Sequence, residues 1–141
     1  MSGFGFVYVL MNSAMPGLYK IGSTERSPHR RAEELSRGTG VPTDYEVACY
    51  FEFSQAALRE KEIHRALDDF RVNNLREFFK CPLIKIIELI QEDGGFFSCW
   101  DGEAAFEAKN PGRCRPGMPL WFEACLHDHG YLERIRRENL Q

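Results

Sequence analysis

The fold of this chain is decided near its start by two short runs, Gly5-Phe6-Val7-Tyr8-Val9-Leu10 and Leu18-Tyr19-Lys20-Ile21-Gly22-Ser23-Thr24. Both runs are rich in aromatic and β-branched residues, which is typical of β-strands. The residues between them, from Asn12 to Gly17, have the composition of a turn. The pattern therefore predicts a β-hairpin with a long loop. Each strand also places a polar or ionisable group, Tyr8 or Lys20, inside an otherwise apolar run.

A helix with two adjacent arginines follows the hairpin. It is predicted to begin at Pro28 behind Ser27, because serine is a favourable N-cap and proline a favourable first helical residue. Its inner face is apolar and consists of Pro28, Ala32 and Leu35. Arg31 borders this face, whereas Arg30 points outward. We therefore expect Arg31 to reach a site on the sheet and Arg30 to be solvated.

Further strands and helices are predicted up to residue 92. Alternating apolar residues predict a third strand from Tyr45 to Phe53. A long helix is predicted from Gln55 to about Phe70. The segment from Arg76 to Cys81 is predicted to be short and extended, and a further helix is predicted from Pro82 to Glu92. Residues 1–92 are therefore expected to form a mixed α/β unit.

The composition changes after residue 92. Residues 93–141 are predicted to form an extension of unknown role that packs on or beside the first unit. Glycine and proline interrupt the chain between Phe96 and Met118, which predicts a loop-rich segment. A last helix is predicted from Pro119 to about Asn139. Trp100, Trp121 and Phe122 would favour a protein-interaction surface here if they were exposed.

A carboxylate interrupts the apolar stripe of the long helix. The stripe has helical spacing and consists of Ala56, Ile63, Leu67 and Phe70. Glu60 occupies the position that this spacing leaves open, and His64 lies one turn further on the same side. A carboxylate facing the core is costly unless it is paired or holds a cation. Two interpretations remain, a structural ion pair with Arg31 or a functional site.

The order of these parts resembles the GIY-YIG nuclease superfamily. The resemblance rests on residues 6–10, 17–24 and 31–35, in this order along the chain. Thr39-Gly40-Val41-Pro42, together with Glu60-Lys61-Glu62-Ile63-His64 and Arg76-Glu77-Phe78-Phe79, resembles its T5orf172/MUG113-type branch. The resemblance implies an α+β fold with a small three-stranded antiparallel sheet flanked by helices. It also implies one divalent ion, Mg²⁺ or Mn²⁺, as cofactor.

The resemblance assigns roles to four side chains. Tyr8 matches the first-motif tyrosine, which helps to activate the attacking water. Arg31 matches the helix arginine that binds the scissile phosphate, and Glu60 matches the metal-binding glutamate. His64 matches a histidine of the branch that carries a proton or contacts phosphate. These roles together imply a metal-dependent endonuclease, a hydrolase that cuts the phosphodiester bonds of DNA.

The second motif departs from the superfamily pattern. Its tyrosine aligns with Lys20, unless a one-residue bulge lets Tyr19 take that position. An ammonium group beside Tyr8 would favour the phenolate and lower a pKa that is ordinarily about 10. We therefore predict that Lys20 tunes Tyr8. Glu77 is predicted to support the site.

The charge distribution bears on the binding partner. The formal net charge is -3, which argues against a broad non-specific nucleic-acid binder. The residues up to Val41 nevertheless carry five basic side chains against three acidic ones. Arg26, Arg30 and Lys20 are therefore expected to contact DNA, with RNA as an alternative. A homodimer would suit a nuclease that cuts both strands.

The remaining sequence features exclude several classes of protein. No run of eighteen apolar residues occurs, and the first residues lack the features of a signal peptide, so we expect an intracellular protein. The five cysteines contain no CxxC pair, which favours reduced thiols. Soft-metal ligand types cluster at Cys114, Cys125, His127 and His129, but their spacing matches no zinc signature. An alternative to the enzyme is a catalytically inactive module of this fold that binds nucleic acid or protein.

Overall fold

The computed structural model describes residues 4–38, 40–41, 43–72 and 75–112. The chain divides into two compact units, Met1–Ala105 and Phe106–Gln141. All candidate site residues belong to the first unit. The predicted last helix, the cysteine and histidine cluster, Trp121 and Phe122 lie outside the described residues. The predicted boundary after residue 92 stays a prediction.

Six strands form one antiparallel sheet within the described part of the chain. They are β1 (Gly5–Met11), β2 (Leu18–Thr24), β3 (Glu46–Phe53), β4 (Arg71–Val72), β5 (Leu75–Lys80) and β6 (Ser98–Asp101). Their order across the sheet is β4-β5-β2-β1-β3-β6. The prediction of a small three-stranded sheet was therefore wrong, although the α+β class holds. The three predicted strands form the centre, and β4, β5 and β6 extend it on both sides.

The strands missing from the prediction are short and lie towards the edges of the sheet. β4 has two residues and β6 has four, too few for a pattern of alternation to be recognised. β6 also lies inside the segment that was predicted to be loop-rich. Its side chains were therefore assigned to loops, whereas Trp100 pairs with Tyr50 in the sheet.

Four helices are described together with one turn of 3₁₀ helix. They are α1 (Pro28–Ser36), α2 (Ala56–Ala66), α3 (Leu83–Asp93) and α4 (Glu103–Lys109), and the 3₁₀ turn is Asp68–Phe70. Ser27 caps α1 as predicted, because its side chain accepts a hydrogen bond from the Arg30 amide. The long helix ends at Ala66 instead of Phe70, where two aspartates are unfavourable at a helix C-terminus. In this described part of the chain, no helix has the length and apolar character needed to cross a membrane.

The two faces of the sheet carry different helices. Tyr8 and Leu10 are buried on one face against Ala32 of α1. Val7 and Val9 alternate with them and are fully buried on the opposite face. α2 packs on that opposite face, where Ser23, the register partner of Val7, bonds to this helix. The sheet thus separates the residues under α1 from those under α2.

A β-bulge in β3 changes which side chains face α1. The register of β1 with β3 moves from Val9–Cys49 to Leu10–Val47 and passes over Ala48. Val47 therefore joins the cluster of Leu10 under α1, while Cys49 stays with Val9. Strict alternation along the predicted third strand would put Val47 and Cys49 on one face, and the bulge makes this wrong at Val47.

Candidate active site

Tyr8 lies in the middle of the sheet on the face covered by α1. Its neighbours across the strands are Gly22 on β2 and Tyr50 on β3. The residue is only 3% exposed. A Cβ atom at position 22 would overlap the Tyr8 hydroxyl and ring. Glycine at position 22 is therefore needed to leave room for the Tyr8 side chain.

Arg31 reaches Tyr8 from α1. Its guanidinium lies close enough to the Tyr8 hydroxyl to affect the pKa of that phenol, and its Nη1 atom lies 3.4 Å from Glu34 Oε1. Because a guanidinium has donors only, the Tyr8 oxygen can act only as the acceptor towards Arg31. The Arg31 side chain is 39% exposed, so it can still meet a ligand. Arg30 is exposed, in agreement with the expected orientation of the two arginines.

The surroundings of Tyr8 raise its pKa above the ordinary value. Burial is the largest cause, since it disfavours the charged phenolate. Arg31 lowers the pKa through its hydrogen bond and its charge, whereas the charges of Glu77 and Glu60 raise it. The cation that acts on Tyr8 is thus Arg31 and not Lys20 as predicted. The net direction is also opposite to the prediction.

Lys20 forms an ion pair with Glu77 of β5. Its ammonium also lies 5.5 Å from the centre of the Phe78 ring. The Lys20 side chain is only 12% exposed, whereas that of Glu77 is 46% exposed. A largely buried ammonium needs such a partner. Glu77 therefore supports the site by holding Lys20, on the sheet face that Lys20 shares with Gly22 and Tyr8.

Glu60 and His64 lie one turn apart on α2, beside the edge of β2. The Ser23 hydroxyl donates to Glu60 Oε1 over 2.6 Å. His64 Nε2 lies 2.7 Å from the carbonyl oxygen of Ile21 and 3.8 Å from Glu60 Oε2. A bond to a carbonyl oxygen requires a proton on Nε2. This nitrogen is thus engaged with the protein, and the predicted proton-carrying role of His64 stays a prediction.

The edge of β2 explains how α2 approaches this site. β2 pairs with β5 only from Leu18 to Lys20. Beyond Lys20 the two strands no longer form a ladder, and His64 contacts the next carbonyl along β2, that of Ile21. Glu60 and His64 therefore meet β2 at the end of the ladder, immediately after Lys20.

The donor atoms around Glu60 limit the kind of metal site that can form. Among residues 4–112 that the structure describes, no group of three or more His, Cys, Asp or Glu side chains could hold a metal ion. Glu60 Oε1 accepts the hydrogen bond from the Ser23 hydroxyl. Glu60 Oε2 is 3.8 Å from His64 Nε2, beyond hydrogen-bonding distance. Mg²⁺ is often held by one or two carboxylates together with water and substrate phosphate. Glu60 Oε2 could serve as the carboxylate ligand of an ion whose other ligands are water and substrate phosphate.

The other predicted site residues are Tyr19, Arg26 and Arg30. The register of β1 with β2 is continuous from Phe6–Thr24 to Met11–Tyr19. In the absence of a bulge within this pairing, Tyr19 faces away from Lys20, and Lys20 holds the second-motif position. Arg26 Nη2 lies 2.9 Å from Glu34 Oε1. Arg26 and Arg30 are exposed around the start of α1.

Sequence reasoning missed two residues that shape the site, Ser23 and Glu34. Ser23 fixes one oxygen of Glu60, and Glu34 contacts both Arg26 and Arg31. Ser23 had a detectable signal, because it is a polar residue in the strand position that faces α2. Glu34 had a weaker signal, its spacing of three residues from Arg31 on one helix.

Comparison with known proteins identifies a domain family for this part of the chain. The profile of the T5orf172 domain matches residues 5–92, which is more than half of the chain. The matched range begins with β1, ends in α3 and contains every candidate site residue described above. No match is found among curated proteins or among solved structures.

Proposed function

Because the chain belongs to the T5orf172 domain family, which is associated with GIY-YIG-like nuclease-type proteins, we propose that it is a metal-dependent endonuclease acting on DNA. Lys20 at the second-motif position favours the MUG113-type branch of the GIY-YIG superfamily. The substrate bond is the phosphodiester, and the reaction is its hydrolysis.

The observation that carries this proposal is that the charges of Arg31 and Glu60 both act on Tyr8. Arg31 bonds a buried phenol and Glu60 is close enough for its charge to act on that phenol. The three residues come from β1, α1 and α2. A structural ion pair between Arg31 and Glu60 was the simpler interpretation, but Arg31 pairs with Glu34 and Glu60 bonds Ser23. Tyr8 is thus the group that both charges influence.

Arg31 is proposed to bind the scissile phosphate. Its guanidinium has five N–H donors in a planar fork that matches two phosphate oxygens. Contacts with Tyr8 and Glu34 leave donors for the substrate, and they hold the guanidinium in place. Such charge-assisted bonds stabilise the negative charge that develops on the phosphoryl oxygens. Arg31 would therefore both position and activate the phosphate.

Tyr8 is proposed to orient the attacking water and to accept its proton. Only the phenolate can act as a base, and burial opposes its formation. The cleavage rate should therefore rise with pH over the neutral and mildly alkaline range. Glu60 would hold the divalent ion, which supplies positive charge to the phosphate and to the leaving oxygen. Lys20 contributes a fixed positive charge on the same face of the sheet.

The proposal is tested by cleavage of labelled DNA with Mg²⁺ or Mn²⁺. Tyr8→Phe should reduce the rate by about 10²- to 10⁴-fold, the usual contribution of a general base. Arg31→Lys should also reduce the rate strongly, because it removes the planar fork that binds the phosphate. Glu60→Gln should do the same, because it removes the negative charge that holds the metal ion. Arg30→Lys and Glu62→Gln are the matched controls on the same two helices and should cut normally. Full cleavage by Glu60→Gln would contradict the metal assignment.

A catalytically inactive binding module is the second candidate. The raised pKa of Tyr8 favours it, since a phenol that keeps its proton is a poor base. This candidate predicts that the wild type binds DNA but cuts neither single nor double strands with either metal, even in mildly alkaline solution. Cleavage that increases with pH and disappears in Tyr8→Phe would exclude it.

A further inference from the structure

Four aromatic rings lie together beside the candidate site. Tyr50 and Trp100 stack with centroids 5.5 Å apart and planes at 15°. Phe6 meets Tyr50 edge to face at 5.2 Å, and His29 meets Trp100 in the same way at 4.8 Å. Phe6, Tyr50 and Trp100 are partly exposed and His29 is exposed. We term these four residues the aromatic surface.

The strand register places the aromatic surface in line with Tyr8. Tyr8 pairs with Tyr50, and Tyr50 pairs with Trp100, so the three side chains form a row on one face of the sheet. Neighbouring strands are about 4.8 Å apart, so the row extends about 10 Å from Tyr8 to Trp100. About three nucleotides cover this distance at the 3.4 Å spacing of stacked bases. His29 contacts Trp100 from α1, two residues before Arg31.

The charges around the site limit binding to phosphates. The chain carries a net charge of -3, and Arg26 and Arg31 are both engaged with Glu34. Glu52 lies beside the aromatic surface, opposite Phe6 in the register. Affinity that comes from phosphates requires many of them to be neutralised. Contacts that do not depend on charge would therefore add to the binding.

We propose that the DNA held at this site is unpaired and that its bases stack on the aromatic surface while Arg31 holds a phosphate. Aromatic side chains bind bases of any sequence through their faces, which is how many single-strand binders work. The bases of a duplex already stack on one another and are not available for such contacts. This inference rests on the proposed nuclease function and specifies its substrate as single-stranded DNA.

The test measures binding of labelled oligothymidine and of the corresponding duplex without divalent metal. We expect the wild type to bind the single strand more tightly. Trp100→Leu should weaken single-strand binding by about tenfold or more. His29→Leu, a change at an exposed position, should also weaken it. Phe97→Leu is the matched control, because Phe97 is an exposed ring that contacts Phe4 instead of the aromatic surface.

Two further readouts separate stacking from a structural effect. In a Trp121→Phe background, oligothymidine should quench the fluorescence of Trp100, the remaining tryptophan. The slope of log affinity against log salt should stay the same in Trp100→Leu, whereas Arg31→Ala should reduce it by about 0.7. A Trp121→Phe protein that shows no quenching, or a wild type that binds the duplex more tightly, would overturn the inference even if the wild type cuts DNA. A wild type that neither binds nor cuts any DNA would overturn the nuclease proposal as well.

Discussion

The hydroxyl of Tyr8 occupies the space that a side chain at position 22 would need. Gly22→Ala should therefore displace the ring from Arg31 and nearly abolish cleavage. It should also lower the free energy of unfolding by about 1–3 kcal/mol, the usual cost of overpacking a core. Chemical denaturation and the cleavage assay measure the two effects on the same preparation.

A second glycine separates loss of stability from loss of the site. Gly17 has a φ of +83° and nothing within 4 Å of its Cβ position. Gly17→Ala should also lose stability, by about 1–3 kcal/mol, because of backbone strain, yet it should cut DNA normally. Equal loss of activity in Gly22→Ala and Gly17→Ala would mean that stability, and not the position of the Tyr8 side chain, limits cleavage.

Glu77 affects Tyr8 through charge at a distance. The carboxylate raises the pKa of Tyr8, so Glu77→Gln should lower that pKa. A base is active when deprotonated, so the rising part of the pH–rate profile should move to lower pH and the rate at neutral pH should increase. Glu88→Gln, an exposed change on α3, should leave the profile in place. A shift to higher pH in Glu77→Gln would exclude Tyr8 as the base.

At the level of elements, α1 must lie close to the sheet for Arg31 to reach Tyr8. Ala32 is 3% exposed and packs against Tyr8 and Leu10 at this contact. Ala32→Leu should push the helix outward, lower the free energy of unfolding by about 1–3 kcal/mol and reduce cleavage. Thermal unfolding and single-turnover rates measure these effects.

The matched control for Ala32→Leu lies on α2. Ala57 of α2 is exposed, so Ala57→Leu should change stability by less than about 0.5 kcal/mol. It should leave cleavage intact. If Ala32→Leu cut as fast as Ala57→Leu, the distance between α1 and β1 would not matter for catalysis.

At the level of the whole molecule, folding wholly or partly buries several groups that ionise at alkaline pH. Burial raises the pKa of Tyr8, Tyr19, Tyr45 and Cys81. A raised pKa means that the folded state holds the proton more tightly, so this stabilisation is complete below the ordinary pKa of the unfolded chain and is lost above it. The free energy of unfolding should therefore fall as pH rises above about 9.

Denaturant unfolding at a series of alkaline pH values measures this loss. Tyr19→Phe removes one of the four groups without touching the candidate site, so its stability should decline less steeply than that of the wild type. A stability that stays constant through the alkaline range would contradict the burial of these phenols and of the thiol.

The central hairpin, the third strand and the helix that carries Arg31 could all be predicted from the sequence. Each depends on a pattern among neighbouring residues, such as the alternation along a strand or the Ser27 cap before Pro28. The difference between Arg31 and Arg30 was also predictable, since helical spacing decides which side chain borders the inner face.

The edge strands and the partners within the candidate site were decided only by the tertiary structure. Lys20 and Glu77 are 57 positions apart, and Ser23 and Glu60 are 37 apart. Local periodicity can place an ionisable side chain on a face, but it cannot say which distant charge will meet it there. For this reason the sequence could indicate Tyr8 as a site residue, while only the folded sheet showed that Arg31 is the cation beside it.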